Sequence, residues 1–115
     1  MSLFQTSEAP TVLRDWHRRF RERLPFPTES REIPTPLGVT HLLSAGAPDA
    51  PPVVLLHGAM ASSAHALREV APLAERFRVH ALDVVGQSPM SADTRPDPDG
   101  PEYGRWLVGC LDALA

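Results

Sequence analysis

His57-Gly58-Ala59-Met60 follows directly on the apolar run Val53–Leu56 and leads into a helical stretch. At such a strand-to-helix turn a backbone N–H can be offered to the oxyanion of a tetrahedral intermediate, which is acyl-transfer chemistry. The small residues Gly58, Ala59 and Ala61 let a substrate approach the backbone. The same residues also suit a plain β–α turn, with glycine supplying an unusual backbone angle and His57 packing on the loop. The preceding Val-Val-Leu-Leu favours the first reading. Asp83 closes a second apolar run, at the strand end where α/β sheets place their ligands. It reads as the organiser of the loop Val84–Ser91 in preference to a catalytic acid. Gly86-Gln87-Ser88-Pro89-Met90 imitates a Gly-x-Ser-x-Gly nucleophile elbow. Met90 replaces the second glycine that so tight a turn needs, and Pro89 lacks the N–H that would follow the nucleophile. Ser88 is therefore expected not to be a nucleophile.

His17, His41, His65 and His80 show no metal-ligand spacing and read as structural or surface histidines. Cys110 is the single cysteine, which excludes an intramolecular disulfide and a cysteine metal cluster. With no phosphate-binding glycine loop either, neither metal nor cofactor is expected, and a free-standing nucleotide-binding domain is disfavoured.

Val53–Leu56 and Val79–Val85 read as strands buried on both faces of a parallel sheet. The helical period of Ala64–Phe77 between them completes a right-handed βαβ unit, with Pro72 predicting a break near Val70. Glu29–Pro34 and Val39–Ser44, around the turn signal Pro36-Leu37-Gly38, predict an antiparallel hairpin. Ahead of it, Glu8–Leu24 carries Leu13, Trp16, Phe20 and Leu24 on one helical face. Five arginines cover much of the remainder, interleaved with Glu8, Asp15 and Glu22. That pattern predicts a helix packed on the domain with its arginines in water, in preference to a membrane-surface helix. After a proline-rich loop, Tyr103–Leu114 predicts a last helix with Leu107, Val108, Leu111 and Leu114 on its buried face.

The sequence has 115 residues, 43% apolar and 22% charged, with a net charge of −3 and arginine as its only strongly basic residue. These values suit one soluble globular domain and give no electrostatic case for nucleic acid or an anionic membrane. The N-terminus has no signal-peptide pattern, so a cytoplasmic protein is expected. Residues 1–27 read as a helix and linker, and 28–115 as a partial α/β domain whose sheet is incomplete.

From Thr35 to Ala115 the chain resembles α/β-hydrolase-fold enzymes. Thr35-Pro-Leu-Gly-Val-Thr-His41, Pro52-Val-Val-Leu-Leu-His-Gly58, Leu73-Ala-Glu-Arg-Phe77, Val79-His-Ala-Leu-Asp83 and Gly86 with a loop serine occur in the family's order. The resemblance implies the N-terminal portion of that fold: N-terminal helix, hairpin, βαβ unit and a further helix, ending before the nucleophile strand. It implies a serine hydrolase acting on a small-molecule ester or related acyl bond through a Ser–acid–His mechanism. It places the first oxyanion-hole N–H on Ala59, with Met60 beside it and His57 and Gly58 shaping the substrate pocket. Asp83, Gly86 and either Ser88 or Ser91 match the family's structural loop. Nucleophile, acid and catalytic histidine have no counterpart here, so the 115 residues alone are expected to be inactive, their partner being the missing half or another chain. The alternative is a non-catalytic interaction module built from half the fold.

Overall fold

The computed structural model describes residues 9–59 and 61–115. The chain begins with helix α1 (Ala9–Glu22), then a hairpin of β1 (Glu29–Thr35) and β2 (Gly38–Ala45). Strand β3 (Pro52–Leu56), helix α2 (Ser63–Glu69), a 3₁₀ turn (Ala71–Glu75), strand β4 (Arg78–Leu82) and helix α3 (Glu102–Leu114) follow. The strands form one sheet in the order β1-β2-β4-β3, with β3 and β4 parallel and the other neighbours antiparallel. Hairpin, βαβ unit and final helix are where the apolar periods put them. The break at Val70 follows from Pro72, which sits near the start of the 3₁₀ turn where its missing N–H costs no bond.

The sheet is covered on both faces, which is why Thr40–Ala45 of β2 are buried at every position. Leu43, Ala45, Val79 and Ala81 face Ala64 and Leu67 of α2 and Leu24 after α1. Ile33, Leu42 and Leu82 face Trp106 and Cys110 of α3. Neighbouring positions on β2 thus feed opposite cores, as the two-residue strand period requires. Trp106 donates its indole N–H to Thr40 Oγ1 at 2.8 Å, giving the second core a paired polar group. Burial pushes the Cys110 thiol up to about 11. We expect Cys110 to resist a disulfide-exchange thiol reagent at pH 8 in the folded chain and to react fully in urea. Ready reaction without denaturant would contradict its placement.

Three expectations need correction. On α1 the buried residue is His17, while Trp16 is 51% exposed and Leu13 and Val12 also face solvent. The helix is turned so that His17, Phe20 and Leu24 meet the domain, and Trp16 lies beside His65 of α2 with ring centroids 5.1 Å apart. Nor are all its arginines in water, since Arg21 donates to Thr28 Oγ1 and O at 2.7 and 3.0 Å. On α3, Val108 and Leu111 are exposed, and the buried face is built on Trp106 and Cys110. Both helical stripes mislead for one reason: the buried side is the one that docks, α1 on α2 and α3 on the sheet, and residue spacing alone does not say which side that is. Finally, β3 is only partly buried: Leu55 packs on one core and Val54 on the other, but no residue of the strand is fully buried. It pairs only with β4 among the described residues, and Leu56 is 45% exposed. In the order β1-β2-β4-β3 the edge strands are β1 and β3, and β4 lies inside the sheet.

Gly46, at the end of β2, has φ +92°, and a Cβ there would collide with the Phe77 carbonyl. Gly46→Ala is expected to cost more than the ~1–2 kcal/mol of a side chain at positive φ, read as a lowered urea midpoint. Among the described residues no helix is long and apolar enough to cross a membrane.

Candidate active-site scaffold at the carboxyl end of the parallel strands

β3 and β4 run in the same direction, so the turns after Leu56 and Leu82 emerge side by side. Their closeness is fixed by His57. Its Nε2 accepts the Val84 backbone N–H at 3.0 Å, which requires the proton on Nδ1, and Nδ1 donates to its neighbour's carbonyl, Gly58 O, at 2.7 Å. One imidazole in one tautomer thus ties the two loops together. Past it the backbone turns, Ala61 N–H donating to Gly58 O at 3.2 Å. Ala59 is exposed, and its N–H has no backbone partner among the described residues. Met60 lies outside the described residues.

Leu56, His57, Gly58 and Ala59 form one wall of an open groove of about 460 Å³; Val84, Gln87 and the α3 residues Tyr103 and Trp106 contribute the rest. Tyr103 is held by donating its hydroxyl to Val85 O at 3.0 Å. The groove lies at the carboxyl end of β3, between Leu56 and α3.

Behind it sits Asp83, fully buried. Its carboxylate accepts four hydrogen bonds: Ser63 N–H at 2.9 Å, Ser63 Oγ at 2.6 Å, Ser88 Oγ at 2.7 Å and His41 Nδ1 at 2.6 Å. Burial pushes the carboxyl pKa up, but the bonds from His41 and Ser63 outweigh it and hold the group below its usual value of 3.8. The two loop serines divide their work. Ser88 binds the carboxylate, while Ser91 donates to the Asp83 carbonyl at 2.6 Å and accepts His41 N–H at 2.8 Å. Ser88 is buried inside the turn and does not project as an elbow nucleophile does. Gly86 has φ +72°, and a Cβ would stand 2.5 Å from Thr94 O, so the loop closes only with glycine there.

The structure therefore gathers His57, Gly58 and Ala59 at one groove, with Asp83, Gly86, Ser88 and Ser91 in the layer beneath. Sequence reasoning missed His41 and Ser63 as partners of Asp83, and Ser30 as a partner of His41 at 2.7 Å. These residues lie on separate elements, and no local pattern signals them.

No family model matches the chain. Two curated relatives do. Uncharacterized carboxylesterase nap of Bacillus subtilis is 32% identical over 102 residues, covering 86% of this chain and 34% of the relative. Carboxylesterase YbfK of the same organism is 30% identical over 90 residues, covering 78% and 30%. The crystal structure of naproxen esterase (carboxylesterase NP) from Bacillus subtilis matches 96% of this chain and 39% of its own, with 29% identity and a TM-score of 0.86.

The chain belongs to the α/β-hydrolase-fold family.

It corresponds to the N-terminal part of that fold and spans about a third of the length of the curated relatives it matches. The small mixed sheet, with β3 next to β4 and the hairpin beyond, is this α/β-hydrolase portion.

Proposed function

We propose that this α/β-hydrolase chain supplies the oxyanion-hole half of an esterase that cleaves a small-molecule ester through a Ser–acid–His mechanism. The observation that carries the reading is Ala59: it is exposed, its N–H has no backbone partner among the described residues, and it stands on the wall of a groove where two strand-end turns converge. A carbonyl oxygen that gains charge during acyl transfer is stabilised by a preset donor of this kind. Carboxylesterase relatives at 32% and 30% identity support the class of reaction.

His57 holds the donor turn in place through its bond to Val84, and Gly58 leaves space for the substrate. Asp83 acts behind them, its four bonds stiffening the loops on which the groove rests. The nucleophile, acid and histidine come from residues beyond this stretch or from another chain. Their natural attachment is the open edge of β3, where a further parallel strand would lie.

The test combines the intact mass of the protein as its native source makes it with fluorophosphonate labelling. A mass near the ~250 residues of a large single domain, with the label on a serine outside these 115 residues, supports the reading. A native mass equal to this chain, with no label-sensitive esterase activity, overturns it in favour of an interaction module.

A further inference from the structure

Three serine hydroxyls hydrogen-bond to a histidine ring among the described residues: Ser30 to His41, Ser44 to His80 and Ser62 to His65. Only His41 continues to a carboxylate. Ser30 Oγ lies 2.7 Å from His41 Nε2, and His41 Nδ1 lies 2.6 Å from Asp83 Oδ2. Ser30 and His41 come together because β1 and β2 pair with Ser30 opposite Leu43. His41 is then its diagonal neighbour on the same face. From these placements we infer that Ser30 is an activated nucleophile that accepts a short acyl group from an activated ester, at a site separate from the Ala59 groove.

The proton positions follow from the partners. The buried carboxylate accepts from Nδ1, so the neutral ring keeps its lone pair on Nε2, facing the Ser30 hydroxyl. That is the arrangement of a nucleophile, its base and the group that orients the base. The other two pairs end at the histidine, and their serines are buried. Ser30 is exposed, so an electrophile can reach it.

Ser30 also opens on a pocket. A cavity of about 170 Å³ is lined by Ser30, His41, Arg18, Arg21, Glu32 and Ser63, among others. Its volume suits an acyl group of a few carbons. Arg21 is fixed by its two bonds to Thr28, which leaves a positioned guanidinium on the pocket wall. A fixed cation favours the negative charge that develops on the carbonyl oxygen.

In the step, Ser30 Oγ bonds to the carbonyl carbon while its proton passes to His41 Nε2. The tetrahedral adduct then collapses, the carbon–oxygen bond to the leaving alcohol breaks, and that alcohol departs with the proton from Nε2. The products are acyl-Ser30 and the free alcohol.

The experiment treats the intact chain with p-nitrophenyl acetate and maps the acetyl group by mass spectrometry. The chain has no lysine, which removes the usual competing amines. Trypsin releases Ser30 on the peptide Leu24–Arg31, whose fragmentation separates Ser30 from Thr28. General-base help predicts that Ser30 is acetylated about 10²-fold faster in the folded chain than in the chain unfolded by urea. Ser30→Ala should remove the label while the chain stays folded, its melting temperature only slightly lowered by loss of the bond to His41. Equal rates in folded and unfolded chain, or an adduct confined to Thr28 or to other residues, would overturn the assignment. The outcome is independent of the esterase reading, which concerns a serine outside these residues.

Discussion

Asp83→Ala is expected to lower stability by on the order of 3–5 kcal/mol, the usual result of removing one member of a buried charged network. The substitution strands Ser63 N–H, Ser63 Oγ, Ser88 Oγ and His41 Nδ1 in a site without access to water. The hydroxyls can turn to other acceptors, so the four losses do not simply add. For a domain of about this size such a change shifts Tm downward by more than about 12 °C, which calorimetry or circular dichroism would register. Ser88→Ala removes one donor to the carboxylate and the acceptor of Met90 N–H, and should cost about 2 kcal/mol, less than Asp83→Ala. A Tm for Asp83→Ala equal to that of the parent would show that the carboxylate does not hold the loops.

The same carboxylate makes stability depend on pH in a definite direction. Its folded pKa lies below 3.8, so its contribution is fully present above that value and is lost as pH falls through the folded one. His17 acts earlier. Burial, with His65 nearby, lowers its pKa from 6.5, so the unfolded state takes up a proton first and stability begins to fall as pH drops below 6.5. Acid melting should therefore show an upper step that Asp83→Ala retains and a lower step that it abolishes.

Ala59→Pro is expected to reduce kcat of the complete esterase by on the order of 10²-fold, the typical consequence of losing one oxyanion donor. The substitution is selective. Ala59 is the second residue of the turn closed by Ala61 N–H on Gly58 O, a position proline favours. The preceding Gly58 has no Cβ to clash with the proline ring. The turn should survive with only the N–H missing, leaving KM for an aryl ester nearly unchanged while kcat falls. Full turnover in a variant with the parent's melting temperature would move the donor to another residue.

Much of the fold was legible from short-range patterns. Val53–Leu56 and Val79–Val85 announced parallel strands by continuous apolarity, the second ending at Leu82, Pro36-Leu37-Gly38 announced the hairpin turn, and Pro72 announced the helix break. Each depends on backbone sterics or a local period. The helix faces were less legible. His17 is buried and Trp16 exposed because docking, not spacing, decided which side of α1 met α2. The continuous run Val53–Leu56 likewise signals a strand buried on both faces, yet among the described residues β3 pairs only with β4 and stays partly exposed.

The sequence by itself determined the order of elements, the family resemblance and the turn that carries Ala59, all of which reside in contiguous residues. Only the tertiary structure decided what surrounds Asp83. Ser63 and His41 lie 20 and 42 positions away, and Ser30 is a further 11 from His41. Their meeting depends on strand register and on α2 docking across the sheet. Such contacts form only when loop-closure entropy has been offset by burial of the two cores, and no local run of residues encodes that balance.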